Sequence, residues 1–501
     1  MGFLAGHAIA QPPSGATPKP ELQTLAALQA RIVDHISAPR FAAAAWGLKI
    51  VSLDTGKALF EHQAHKLLKP ASVAKLYTGA LALDRLGPEF RIRTSLYSAT
   101  RPSKSGALAG DLMVYGRGDP SFAARFNEGD YAPSLEPLAQ ALAAAGVQRI
   151  SGDLVGDETF FRGPPLGSGW MWEDLQCYYG AEVSALTVDD NVVDLTFSPG
   201  PRPGAPCSFT AGPATPFLQF INRTQTGPPG GARQIHLYRP IGENTVYLTG
   251  SLPLGDTNYV DAVTVHQPAM WFLARFKEAL ARRGITIGGR MRAVNWLDRE
   301  SKAVEYSKLI ELGHAESRPM KELVQRMMKS SQNLYAQLLL LQVGARSGWL
   351  TNDTLTTEAA GLAELDRFLG EAGVRKSEVL LEEGSGLSRG ALVTPDSTLA
   401  LLQYMHRHRH SAVFLDSLPT AGVDGSLRNR MKGTLATGKA RAKPGSLRHV
   451  NTLSGYVTTA AGERLAFALM LNNYKVPEGG SPARTELDDL VVLLAGFKGR
   501  S

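Results

Sequence analysis

Lys69-Pro70-Ala71-Ser72-Val73-Ala74-Lys75 opens an apolar helix that runs to about Leu86. The proline and Ser72 mark a helix start. Ser72 and Lys75 stand three residues apart, a spacing that puts both side chains on one helical face. A serine needs a base to become a nucleophile, and a neutral lysine amine can serve. Neutrality demands a depressed lysine pKa, which burial and a neighbouring cation both favour. Lys443 is the candidate cation. The Ser72 N–H, at a helix N-terminus, also suits a developing oxyanion. S-x-x-K alone is a common pattern and serine is a good helix cap, so the motif takes its meaning from its surroundings.

Immediately upstream, Ala45–Leu53 and Lys57–His62 read as two strands joined by the turn Asp54-Thr55-Gly56, and Leu22, Leu25, Leu28 and Ile32 recur at helical spacing. The far end of the chain has the same texture. Met320–Val343 is helical with a break near Ser330, Leu399–His406 is a further helix, and Glu486–Phe497 is a closing one. Between the last two, Ala440–Leu447, Thr452–Thr459 and Arg464–Leu471 read as an antiparallel meander. The intervening stretch, 99–296, is richer in glycine, proline and short strands. It contains one βαβ-like unit, with strands at Leu112 and Ile150 around a Leu135–Ala145 helix. The expected architecture is therefore α/β (α+β). An antiparallel sheet flanked by helices comes from 21–98 and 297–501, interrupted by a mainly β insertion over 99–296 with an inner subdomain at about 110–165.

Two more motifs fall in the terminal body. Ser331-Gln332-Asn333 sits where the helical pattern breaks. A serine hydroxyl there can relay a proton to a leaving group, and the asparagine amide can orient a lysine and bind a substrate amide. Lys443-Pro444-Gly445-Ser446 lies on the first strand of the meander. Lys443 supplies charge, Gly445 lets a substrate backbone approach closely, and the Ser446 N–H is the candidate second oxyanion donor. In a strand the N–H groups of 444 and 446 point the same way. If 446 faces the cleft, so does 444, and Pro444 breaks no sheet hydrogen bond.

Bulk composition narrows the class. At 501 residues more than one domain is expected. The net charge of +7 is spread along the chain without a Lys/Arg block, which argues against a nucleic-acid partner. Only Cys177 and Cys207 are present; they either pair in an oxidising compartment or stay separate thiols. Ala8-Ile9-Ala10 followed by Gln11 resembles a signal-peptidase site without its basic and long apolar regions, and 11–20 reads as a linker. Residues 1–20 are thus read as a signal remnant and linker. No apolar run long enough to cross a membrane follows, so any membrane association would be peripheral. His406 and His410 can share a helix face as metal ligands, or the histidines and arginines there can simply be cations at a helix C-terminus. Trp271 is expected in a core.

The three motifs, in this order, together with Gly152-Asp153-Leu154-Val155-Gly156-Asp157, Gly384-Ser385-Gly386-Leu387-Ser388-Arg389 and Leu418 to Arg428, resemble the class C low-molecular-mass penicillin-binding proteins of the penicillin-binding protein 4 type. The gap of about 255 residues between Lys75 and Ser331 is similar to the long insertion of that family. The resemblance implies a periplasmic serine D-alanyl-D-alanine carboxypeptidase/endopeptidase that needs no cofactor or metal. Its substrates would be peptidoglycan stem peptides ending in D-Ala-D-Ala, and β-lactams would trap Ser72. It implies Ser72 as nucleophile, Lys75 as base, Ser331 as proton relay, and Asn333 and Lys443 as their partners. It further implies a subsite for a zwitterionic diamino acid built from Asp174, Tyr179 and Arg389. Family members usually carry threonine where Pro444 stands, and its hydroxyl binds the substrate's terminal carboxylate. A lost hydrogen bond to a charge costs about 1.5–3 kcal/mol, so weakened carboxypeptidase turnover is expected. Two other classes fit part of the pattern: a non-catalytic penicillin- or peptidoglycan-binding protein disabled at Pro444, and a serine β-lactamase, which the long gap disfavours.

Overall fold

The computed structural model describes residues 23–301, 304–351 and 355–501; the signal remnant and linker expected at 1–20 lie outside them. Its central feature is a five-stranded antiparallel sheet in the order Ala58–His62, Ala45–Ser52, Arg464–Asn472, Val450–Thr458, Ala440–Leu447. Two strands come from the start of the chain and three from its end. Side-chain alternation explains why the sheet is covered on both faces. On Arg464–Asn472, Leu465, Phe467, Leu469 and Leu471 enter one core with the helices Leu25–Ile36 and Ala483–Ala495. Ala466 and Met470 enter a second core with Lys75–Leu86, Met320–Ser330, Asn333–Gly344 and Pro395–Arg407. Asn333–Gly344 is buried along its whole length, so it is apolar all round rather than striped.

The intervening segment builds its own sheets over a third core, with Trp271 fully buried on the helix Pro268–Arg282. Its largest sheet runs Met291–Val294, Leu154–Asp157, Leu112–Tyr115, Arg93–Ser98, Ile310–Glu316. By strand pairing, 93–98 and 310–316 therefore go with the insertion, although the sequence pattern groups them with the terminal body. The βαβ unit differs as well. The strand parallel to Leu112–Tyr115 is Leu154–Asp157, whereas Arg149–Ile150 joins a separate three-stranded sheet. The chain makes a short stop at Ile150 before turning through Ser151-Gly152-Asp153 into the longer strand, and both runs carry apolar residues.

Cys177 and Cys207 are free thiols; one approaches the Glu173 carbonyl and the other the Gln225 carbonyl. Of the two readings of these histidines, the shared helix face for His406 and His410 is not the one realised. The helix Pro395–Arg407 ends before His408, which binds Asp84 at 2.9 Å, and His410 caps the next helix, Ser411–Ser417. No helix among the described residues is long and apolar enough to cross a membrane.

Candidate active site

The nucleophile motif starts one turn earlier than a regular helix. Ala71–Ala74 forms a 3-10 turn, with Ala71 at φ +47°, and Lys75 begins the α-helix. Ser72 is therefore presented at the mouth of the turn, half-buried, while Lys75 points inward and is fully buried. The Lys75 Nζ lies 3.0 Å from Ser72 Oγ, 2.6 Å from Asn333 Oδ1 and 2.8 Å from the Ser385 carbonyl. Burial pushes its pKa down from the ordinary lysine value to about 7, against a smaller upward pull from Glu383. A neutral amine has two N–H bonds and one lone pair. Giving the N–H bonds to the two carbonyl-type acceptors leaves the lone pair for the Ser72 hydroxyl.

Lys443 has a different part from the one expected of it. Its Nζ, also fully buried, donates to Ser331 Oγ at 2.8 Å and to the Pro444 carbonyl at 2.7 Å. Burial, then repulsion from Lys75 and Arg430, pushes this amine well below its ordinary pKa. Desolvation, not a neighbouring cation, is what lowers Lys75. Ser331 ends the helix Met320–Ser330 in the left-handed region at φ +59°, ψ +40°. That conformation costs a non-glycine residue about 1–2 kcal/mol, and it turns the hydroxyl to the lysine. Asn333 starts the next helix and bridges outward, its Nδ2 donating to the Tyr179 carbonyl at 2.9 Å.

The sheet edge completes the site. The Ala442 N–H points away from the sheet, donating to the Pro419 carbonyl at 2.9 Å. Positions 444 and 446 face the same outer side, so Pro444 removes no ladder hydrogen bond and the Ser446 N–H is free of the sheet. Gly445, which lines the cleft, is also required for packing. A Cβ there would lie 2.3 Å from Thr452 Oγ1, 2.7 Å from the Pro70 carbonyl and 2.8 Å from the Ser72 nitrogen. The edge strand and the nucleophile turn are thus in backbone contact, fixed further by Thr452 Oγ1 donating to the Pro70 carbonyl at 2.7 Å.

A cleft of about 800 Å³ opens over these groups and is lined by every predicted residue except the two lysines, which sit behind it. At one end Arg389 donates to Asp174 through Nη1 at 2.8 Å and Nη2 at 3.2 Å. The structure brings the expected charge pair together, but as partners of each other. Asp174 is 1% exposed and also accepts the Met171 N–H, while Tyr179 stands half-buried beside it. Glu173 is the more accessible carboxylate at this end of the cleft.

Sequence reasoning missed Glu383. This fully buried carboxylate accepts the N–H groups of Ser385, Gly386 and Leu387 at 2.7, 2.6 and 2.9 Å. It shapes the turn whose Ser385 carbonyl holds Lys75. The signal was an acid directly before a Gly-Ser-Gly run, Glu383-Gly384-Ser385-Gly386. Gly386, at φ +77°, lets this turn press on the Ala71 carbonyl, where a Cβ would come within 1.9 Å.

Comparison with known proteins places this arrangement. A D-alanyl-D-alanine carboxypeptidase of Actinomadura sp. (strain R39) is 33% identical over 476 residues, covering 92% of this chain and 83% of the relative. The D-alanyl-D-alanine carboxypeptidase DacB of Haemophilus influenzae is 25% identical over 448 residues, covering 88% and 87%. The crystal structure of penicillin binding protein 4 (dacB) from Haemophilus influenzae shares the fold at a TM-score of 0.76 with 24% identity, over 92% of this chain and 97% of that one; a second, complexed with a β-lactam, gives 0.73 at 23% identity over 92% and 98%. The model of the D-Ala-D-Ala carboxypeptidase 3 (S13) family matches residues 28–495, which take in the whole cleft and the entire insertion. With both chain ends, the insertion and all three motifs inside that match, the chain belongs to the D-Ala-D-Ala carboxypeptidase 3 (S13) family.

Proposed function

We propose that this enzyme is a serine D-alanyl-D-alanine carboxypeptidase/endopeptidase acting on peptidoglycan stem peptides in the periplasm, with Ser72 as nucleophile. The observation that carries the reading is the enclosed Lys75 amine, 3.0 Å from Ser72 Oγ with its other two contacts on carbonyl-type acceptors. Lys75 takes the hydroxyl proton as Ser72 Oγ attacks the carbonyl of the penultimate D-Ala. The N–H groups of Ser72 and Ser446 stabilise the oxyanion. As the peptide bond breaks, the proton taken up by Lys75 passes by way of the Ser331 hydroxyl to the departing amine, while the Lys443 amine, 2.8 Å from Ser331 Oγ, holds that hydroxyl in place. Water then hydrolyses the acyl-Ser72 ester: Lys75, neutral again, takes the proton of the attacking water and returns it to Ser72 Oγ. Asp174, Tyr179 and Arg389 border the side chain of the acyl residue, and Glu173 adds an accessible carboxylate for its ammonium. A β-lactam carbonyl enters the same sequence and leaves Ser72 acylated.

The test is labelling with a fluorescent penicillin, wild type beside Ser72→Ala, followed over time. A long-lived adduct on the wild type alone is expected. No adduct on folded wild type overturns the enzyme reading, and a rapidly released one indicates a β-lactamase.

A further inference from the structure

A second trough, about 1020 Å³, opens off the catalytic cleft, and Ser330, Ser426, Arg430 and Arg484 line both. Its charge is lopsided. Of its two acids, Asp424 is taken by Lys329 Nζ at 2.7–2.8 Å and by the Thr420 N–H, and Asp488 by the Arg430 guanidinium at 2.7–3.1 Å. Arg428 and Arg484 are exposed and have no carboxylate partner among the described residues. The trough therefore offers a surplus of guanidinium groups, the side chain best suited to hold a carboxylate.

Its position gives the surplus a direction. Ser331, whose hydroxyl faces the departing amine, is the neighbour of Ser330 on the trough wall, whereas Asp174 and Arg389 border the opposite, acyl end. Arg430 is held in place by Nε and Nη2, which face Asp488, with Nη2 also reaching the Arg484 carbonyl at 3.4 Å. Its Nη1 donates to no group among the described residues. The charge also reaches the site, since Arg430 helps to depress the Lys443 amine. Pro444, on the adjoining strand edge, has no hydroxyl to offer a carboxylate.

We propose that the mouth of this trough is an anion subsite, in which Arg430 and Arg484 receive the carboxylate of the departing amino acid in place of the hydroxyl missing at Pro444. The proposal rests on Ser331 facing the leaving side, as in the function above. A substrate with a free terminal carboxylate then gains from the trough, and the same substrate capped as an amide does not.

The experiment compares kcat/KM for an acyl-D-Ala-D-Ala peptide with that for its C-terminal amide. The acid-to-amide ratio is expected to fall by about tenfold or more in Arg430→Gln and in Arg484→Gln, the size of a lost bond to a charge. Pro444→Thr should restore the ratio more strongly in Arg430→Gln than in the wild type, because hydroxyl and guanidinium serve the same carboxylate. Arg484→Gln guards against a folding artefact, since its side chain has no hydrogen-bond or ion-pair partner to lose among the described residues. An unchanged ratio in both arginine variants, with Ser72 still labelled by penicillin, overturns the subsite alone. Loss of labelling in wild type overturns the catalytic reading and the subsite with it.

Discussion

Lys75 shows how a single buried group sets the working pH. The amine accepts the Ser72 proton only when neutral, and its pKa in the fold is about 7. Below that value the amine is protonated and cannot act; above it the neutral form dominates. Acylation by penicillin should therefore rise with pH through about 7. Glu383 opposes the burial effect, because its negative charge favours the lysine cation. Glu383→Gln removes that charge, so the acid limb of the pH–rate profile should move to lower pH. The same change weakens the carboxylate contacts to three backbone N–H groups, costing about 1–3 kcal/mol of stability. Stopped-flow acylation across pH 5–9 checks the first outcome and denaturant unfolding the second. A limb that moves to higher pH would mean that Glu383 acts only through the turn. Lys75 itself was legible, since S-x-x-K fixes its distance from Ser72 locally. Glu383 was not, because its partners are backbone N–H groups and any acid near a Gly-Ser-Gly run reads as a solvated loop charge.

The edge strand Ala440–Leu447 separates what a local pattern reveals from what only packing reveals. That Pro444 is tolerated follows from the two-residue alternation of a strand, and the outward Ala442 N–H agrees with it. Pro444→Thr should accordingly leave stability within about 0.5 kcal/mol of the wild type, as judged by chemical denaturation. Gly445 was assigned to substrate approach because the sequence does not say which element meets the strand. The structure puts the Pro70 carbonyl and Ser72 nitrogen there. Both belong to backbone, which cannot swing aside as the end of a side chain would. Gly445→Ala must therefore push the edge strand away from the nucleophile turn and separate the two oxyanion donors. A displacement near 1 Å costs on the order of a hundredfold in rate. The expected result is acylation slowed by about that factor in a protein that still folds, measured from the same penicillin time course. Acylation at the wild-type rate would mean that the strand and turn are not rigidly coupled.

At the scale of the whole molecule, hydrogen bonds from two side chains of the catalytic body reach the insertion at the cleft. Asn333 Nδ2 reaches the Tyr179 carbonyl, and Arg389 grips Asp174. The terminal sheet was legible because turn residues such as Asp54-Thr55-Gly56 bound its strand-length runs. The junction was less so: Arg93–Ser98 and Ile310–Glu316 resemble their terminal neighbours in composition, and only pairing assigns them to the insertion's sheet. The Asp174–Arg389 contact was foreseen as a meeting of charges but not as a clamp, since burial of Asp174 depends on how the two bodies dock. The clamp has an energetic signature. Arg389→Met leaves a carboxylate with 2% side-chain exposure without its guanidinium. Breaking a fully buried pair costs about 3–5 kcal/mol, and the 30% exposure of Arg389 scales this down to about 1–3 kcal/mol. Asp174→Asn in the same chain removes the stranded charge, so the double variant should recover most of that stability. It should not recover selection of a diamino-acid side chain, because both charges of the Asp174–Arg389 pair are gone. Unfolding curves for the two singles and the double, beside kcat/KM for stem peptides bearing lysine or norleucine at the acyl side chain, measure both parts. If the double variant is no more stable than Arg389→Met, the pair is not a clamp. If it regains selection, the subsite lies with Glu173 and Tyr179 instead.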